Sequence, residues 1–167
     1  MNSKDKKIMY LAPIKGVTDR IFRESFGENF NGIDKAVSPF ITKEDSNKKI
    51  KDLAPELNQR ILTIPQILTK SPDDFIELSK RLSDVGCEEV NWNLGCPFPM
   101  VMKRGEGASL LNQPTLINLF LDKIFNRLDL KISIKTRIGL HSPDQIIELI
   151  LLFNSYPLSE LIIHPRT

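Results

Sequence analysis

The sequence predicts an α/β fold, a (β/α)₈-type barrel that stops after its sixth strand. Three observations predict it. Short apolar, β-prone runs alternate with amphipathic helical runs along the chain. Glycines follow several strand candidates rather than the first alone. The count of elements falls two strands short of eight, whereas such a barrel typically takes about 250 residues.

The strand candidates are Ile8–Leu11, Ala36–Ser38, Leu62–Gln66, Glu89–Asn93, Lys131–Lys135 and Leu161–His164. Each is short and bounded by Gly, Pro or charged residues. Five helices are predicted. Thr18 is placed to cap a first helix over Asp19–Phe26. Lys48, Lys49 and Lys51 read as the solvated face of a second. Ser71 and Pro72 open a third, with Asp73 and Asp74 in its first turn. It runs to about Val85 and stops at Gly86, with Leu78, Leu82 and Val85 on one face. Pro114 opens a fourth that runs to about Leu128. Ser142 and Pro143 open the last, through Asn154.

This alternation implies parallel strands joined by right-handed crossovers. A doubly wound open sheet would carry a Gly-rich fingerprint after its first strand, and none is present. Gly16, Gly95, Gly105, Gly107 and Gly139 instead follow strand candidates 1, 4 and 5. That pattern suits a barrel, whose active site is built from the loops after several strands.

The 167 residues suffice for one domain with a core. Basic and acidic residues nearly balance, 23 against 21, which excludes a bulk polycation but leaves room for a local basic face. Cys87 and Cys96 form neither a disulfide framework nor a common zinc spacing. A reduced, cytoplasmic setting is expected, without metal. The polar start, Met1–Lys7, lacks the apolar core of a signal peptide. The most apolar stretch, Ile146–Phe153, is too short to span a bilayer.

Strand side chains alternate faces. Asn91 and Asn93 therefore share a face opposite Val90 and Trp92. Lys135 and Arg137 oppose Ile132 and Ile134, and His164 and Arg166 oppose Ile163. Three successive strands thus end in polar groups on one face, as at the mouth of a lumen that binds a ligand. Just past Asn93, Gly95 permits a sharp turn and Pro97 holds Cys96 extended. A cysteine on such a loop is placed for acid–base or nucleophilic work. Cys87, at the junction between Gly86 and a strand, reads as buried and inert. Lys135 and His164 are candidate ligands for an anionic or hydrogen-bonding cofactor. Gln66 offers an amide donor and acceptor. Lys103 and Arg104, with Arg137 and Arg166, make a candidate basic rim suited to phosphate backbones.

In order, these residues resemble the tRNA-dihydrouridine synthases over nearly the whole chain. Leu11-Ala12-Pro13-Ile14-Lys15-Gly16-Val17-Thr18-Asp19, followed by Phe22-Arg23, resembles the family's first-strand motif. Pro65-Gln66 resembles its third-strand motif. Asn93-Leu94-Gly95-Cys96-Pro97, then Val101, Gly107-Ala108 and Leu110-Leu111, resembles its signature loop. Ile134–Gly139 and Ile163–Thr167 resemble its fifth- and sixth-strand motifs. There are departures: Ile14 stands in place of a usual Met, Pro165 in place of a small residue, and Glu106 interrupts a run that is often all glycine.

The resemblance implies an FMN enzyme that uses NADPH to reduce the C5=C6 bond of a uridine in tRNA. It implies that Pro13 and Ile14 lie against the flavin and that Gln66, Lys135 and His164 hydrogen-bond it. Asn93 would position the uracil, and Cys96 would be the general acid. An ordinary thiol, with a pKa of about 8.5, is mostly protonated at neutral pH and suits that task. The target base must also leave its stack. The remaining barrel strands and the family's C-terminal helical tRNA-binding domain are expected to lie outside this sequence. Two other readings stand beside this one. The chain could be an FMN barrel reductase of a small molecule, of the dihydroorotate-dehydrogenase type. It could instead be an inactive remnant, or a split-enzyme half whose missing strands a second chain supplies.

Overall fold

The computed structural model describes residues 7–167. Of the polar start Met1–Lys7, residues 1–6 lie outside the described residues. Among the described residues every strand pairing is parallel. Strands β1 (Tyr10–Leu11), β2 (Lys35–Val37) and β3 (Leu62–Ile64) form one ladder. Strands β4 (Gln66–Ile67), β5 (Glu89–Leu94), β6 (Lys131–Arg137) and β7 (Leu161–His164) form the next. Pro65 separates β3 from β4 because it has no N–H to give the ladder. The sheet nevertheless continues across the break. Ser38 N–H donates to the Ile64 carbonyl at 2.9 Å, and Ile41 N–H to the Gln66 carbonyl at 2.8 Å. Seven strands thus fill the six predicted positions, in chain order.

The sheet curls without closing, since β1 and β7 do not pair. Their N-terminal ends are joined by side chains instead. The Tyr10 hydroxyl and the Lys35 ammonium both donate to the carboxylate of Glu160, just before β7.

The helices are α1 (Arg20–Asn29), α2 (Asn47–Lys51), α3 (Pro72–Ser83), α4 (Pro99–Lys103), α5 (Pro114–Phe125) and α6 (Gln145–Phe153). Short 3₁₀ turns span Pro55–Leu57 and Gly107–Asn112. The Ser71 cap is as expected, its hydroxyl accepting from Asp74 N–H at 3.2 Å. The expected Thr18 cap is corrected by one residue. Asp19 caps α1, accepting from Phe22 N–H at 2.9 Å, while the Thr18 hydroxyl turns back to bond both backbone groups of Ile14. The last helix starts later than Ser142–Pro143 suggests. The Gln145 carboxamide gathers the N–H groups of Leu140, His141 and Ser142 into a turn before it. Helix α4 and the turn at Gly107–Asn112 were not expected, since the sequence reads there as loop.

The core lies between the sheet and the outer helices. Trp92 points away from the lumen and stacks on Phe120 of α5, with ring centroids 3.8 Å apart. Its indole N–H donates to the Thr69 carbonyl at 2.9 Å. Phe75, Leu78 and Leu82 of α3 are fully buried beside it, and Val85 packs on their edge. This layer holds the strands rigid and leaves their other face free to build a site.

Candidate active site

The lumen face carries the residues that alternation predicted. Ladder register places Gln66 beside Asn91, Asn91 beside Ser133, Asn93 beside Lys135, and Arg137 beside His164. At the C-terminal ends of these strands is a cleft of about 280 Å³. It is lined by Pro13, Lys15, Pro39, Phe40, Gln66, Asn93, Gly95, Cys96, Pro97, Lys135, Arg137 and His164. Three of these side chains are cationic amines or guanidinium, and none is a carboxylate.

Several loops meet here. The first-strand loop turns at Gly16, whose φ of 81° suits glycine. Thr18 closes that loop, and Arg23 of α1 secures it, donating to the Thr18 carbonyl at 2.8 Å. Arg23 is itself buried and satisfied by Asn58 and Thr63. In the loop after β5, the Asn93 side-chain oxygen accepts from Gly95 N–H at 3.1 Å and Cys96 N–H at 3.0 Å. The Cys96 carbonyl accepts from Ala108 N–H at 3.0 Å. Gly107, with φ of 61°, supports this turn from below, and a Cβ on it would come within 2.6 Å of the Cys96 carbonyl. The loop is thus held from both sides, with Cys96 half-buried at the cleft.

The Lys135 ammonium makes no hydrogen bond or ion pair with any described residue. Burial, with Arg137 nearby, lowers its ammonium pKa. Burial and the neighbouring cations Lys135, Arg137 and Arg166 likewise lower that of His164, favouring neutral imidazole. Arg137 is partly committed, donating to the Gly95 carbonyl at 2.9 Å and the Thr167 carbonyl at 2.7 Å. An unpaired, desolvated ammonium among cations suits an anionic or electron-rich ligand. Lys15 stands over the Phe40 ring at 4.8 Å, adding a charge and a flat apolar wall.

Not every candidate enters the cleft lining. Ile14 is exposed on the first-strand loop, one residue beyond Pro13. Lys103 and Arg104 are exposed at the end of α4, and Arg104 pairs with Glu106 at 2.9 Å. Arg166 is exposed beyond β7. Cys87 is buried, as expected, and burial pushes its thiol up to about 11. Pro39 and Phe40 escaped the sequence reading, and Lys15 entered it only within the first-strand motif and without a role, although a barrel draws on the loop after every strand. A larger cleft of about 480 Å³ lies on the outer side, between α3 and α5, with Leu116, Leu119 and Phe120 in its wall. It lacks the convergent polar groups of the lumen. Among the described residues, no cluster of His, Cys, Asp and Glu could hold a metal ion. No described helix is long and apolar enough to cross a membrane.

Known proteins resemble this chain in both sequence and fold. The family profile described as dihydrouridine synthase (Dus) matches residues 10–167. The tRNA-dihydrouridine(16) synthase of Vibrio parahaemolyticus is 30% identical, over 94% of this chain and 52% of that protein. The tRNA-dihydrouridine synthase B of Proteus vulgaris is 30% identical, over 97% of this chain and 51% of its own length. The Pasteurella multocida tRNA-dihydrouridine(16) synthase reaches 32% identity over 94% of this chain and 54% of that protein. The chain therefore spans about half the length of the curated relatives it matches. Among solved structures, CdNal of Clostridium difficile superposes with a TM-score of 0.58 at 14% identity, over 94% of this chain and 56% of that one. A dihydrodipicolinate synthase gives 0.57 at 18% identity, over 90% and 53%. At such low identity these superpositions speak for the fold alone, that of TIM-barrel enzymes.

Proposed function

Because the chain belongs to the dihydrouridine synthase family, we propose that it carries the catalytic face of an enzyme reducing the C5=C6 bond of a uridine in tRNA. One observation carries this reading: Cys96, Lys135, Arg137 and His164 converge on a cleft that has no carboxylate in its lining. The residues present fit FMN, whose ring edge is rich in acceptors and whose tail is anionic. Lys135 offers an unpaired ammonium, His164 a neutral imidazole, and Gln66 an amide. Pro13 and Ile14 supply the adjoining loop. FMN held by these residues would supply the hydride for C6, with NADPH as its reductant.

The chain's own residues do the rest. Cys96 gives its thiol proton to C5, and the cations around it stabilise the resulting thiolate. Asn93 has one amide N–H left to orient the uracil, because its oxygen is taken by the Cys96 loop. Arg137 and Arg166, with Lys103 and Arg104 further out, meet the phosphates of tRNA. A cytoplasmic setting goes with such a partner. Residues 1–167 then make the first part of a barrel domain. Additional strands between β7 and β1, and a helical tRNA-gripping domain, would complete the enzyme, from further chain or from a second one.

The test is the visible absorption of the purified protein after FMN is added and excess removed, followed by NADPH-driven reduction of tRNA. A retained flavin band and dihydrouridine in the tRNA are expected. A colourless protein that leaves tRNA unchanged overturns the reading of this chain as sufficient for the catalytic face and means a remnant or a half-enzyme. Reduction of free uridine or another pyrimidine with tRNA untouched would favour a small-molecule reductase.

A further inference from the structure

A line of hydrogen bonds crosses three strands beneath the cleft. Gly95 and Cys96 N–H donate to the Asn93 oxygen. Asn93 Nδ2 donates to Gln66 Oε1 at 2.8 Å, and Gln66 Nε2 to Asn91 Oδ1 at 2.8 Å. Asn91 Nδ2 then donates to Ser133 Oγ at 3.0 Å, and Ser133 Oγ to the Val90 carbonyl at 3.4 Å. Gln66, Asn91 and Ser133 are wholly buried, and Asn93 is 8% exposed.

The direction of this line is dictated by chemistry. A backbone N–H can only donate, so Asn93 must turn its oxygen to the Cys96 loop and its nitrogen to Gln66. Gln66 must then turn its nitrogen to Asn91, and Asn91 its own to Ser133. At the far end a backbone carbonyl can only accept, which demands the same direction. Two obligate ends agree, and each amide between them has one allowed orientation.

We propose that Asn91 and Ser133 are positioning residues, which lock the Gln66 carboxamide in one orientation and through Asn93 hold the seat of Cys96. This rests on the reading of Cys96 as proton donor and Gln66 as a cofactor ligand. A locked Gln66 presents one N–H and one lone pair in fixed places. A ring edge that alternates donors and acceptors can meet it in only one register, and a flipped amide would exchange the two. Neither residue needs to touch the cofactor or the base. No member of the line titrates in the neutral range, so its orientation holds across the working pH.

The test reads the cysteine itself and needs no flavin. Alkylation by iodoacetamide is followed at Cys96 and Cys87 separately by peptide mapping, in wild type, Asn91→Leu, Asn91→Asp and Ser133→Ala. Asn91→Leu removes both links and should speed Cys96 modification about fivefold, the scale of one lost hydrogen bond. Ser133→Ala should move it in the same direction by less. Asn91→Asp, protonated when buried, can still accept from Gln66 and donate to Ser133, and should restore the wild-type rate. Cys87 is buried near the other end of the strands and reports general loosening. An unchanged Cys96 rate in Asn91→Leu and Ser133→Ala overturns the proposal. So does equal acceleration of both cysteines in Ser133→Ala, the milder variant. FMN retention by wild type is scored separately, so that failure of the flavin reading and failure of the positioning role give different results.

Discussion

Lys35 and Lys135 lie near opposite ends of one parallel sheet, and the fold treats their ammonium groups in opposite ways. Lys35, at the N-terminal end, bonds Glu160 beside Tyr10, and that hydrogen bond outweighs burial and raises its pKa. Lys135, at the C-terminal mouth, is desolvated with no carboxylate beside it among the described residues, and its pKa falls. The first charge is spent on holding strands together. The second is held at a cost in stability, which a ligand would repay. In a barrel the N-terminal face serves stability and the C-terminal face serves chemistry. Here the same residue type stands in both settings within one curled sheet, paired at one end and lining the cleft at the other.

The comparison breaks most visibly at Cys96. Cys96→Ala should lower tRNA reduction by about 10²–10⁴-fold, the usual range for a lost general acid, with FMN retention unchanged. Equal turnover in the variant would remove Cys96 from the mechanism.

The two lysines sharpen it next. Lys35→Met should cost about 2 kcal/mol in urea unfolding, because it leaves the half-buried Glu160 carboxylate without its cation and with only the Tyr10 hydroxyl as partner. Lys135→Met should cost nothing in the same experiment, or stabilise slightly, while weakening FMN affinity about tenfold. Equal stability losses in the two variants would erase the distinction.

A pH series tests the N-terminal cluster alone. Burial would raise the Glu160 carboxyl, but the bonds from Lys35 and Tyr10 prevail and hold it below its usual 4.5. Its contribution is therefore full above that value and lost as pH falls through the lowered one. The stability gap between wild type and Glu160→Gln should close in acid. Burial and the bond to Glu160 raise Tyr10 from 10.0 to about 12. Its contribution is therefore full below pH 10 and lost as pH rises towards 12. A gap between wild type and Glu160→Gln that does not narrow at all as pH falls below 4.5 would argue against the carboxylate.

The smallest effect expected is at the rim. Lys103→Ala should reduce the salt slope of tRNA binding by about one phosphate contact. Arg104→Ala should reduce it less, because Glu106 already engages that guanidinium. The reverse order would mean that Arg104 leaves Glu106 for phosphate.

Much of this was legible in the sequence because parallel strands are buried on both faces and bounded by loops of distinctive composition. The alternation at Asn91, Asn93, Lys135 and Arg137 gave their shared face directly. What escaped depends on partners far apart in the chain. Asn91 read as pocket lining because nothing local distinguishes a polar residue that faces a ligand from one that faces another amide. Lys103 and Arg104 adjoin Cys96 in sequence, but α4 carries them outside the cleft lining. Thr18 and Asp19 are both good caps, and only the fold of the first-strand loop decides between them. The Tyr10–Lys35–Glu160 cluster left no periodic trace at all.

That cluster bears on how the chain folds. It joins residues 150 and 125 positions apart, whereas each strand–helix–strand unit closes over a few tens of residues. Loop closure over so long a span is entropically late. The units should therefore form first, and the bond between the sheet's two ends last, after the rate-limiting step. Weakening it should then leave the refolding rate nearly untouched and speed unfolding, so that Glu160 governs how long the native state lasts rather than how quickly it is reached.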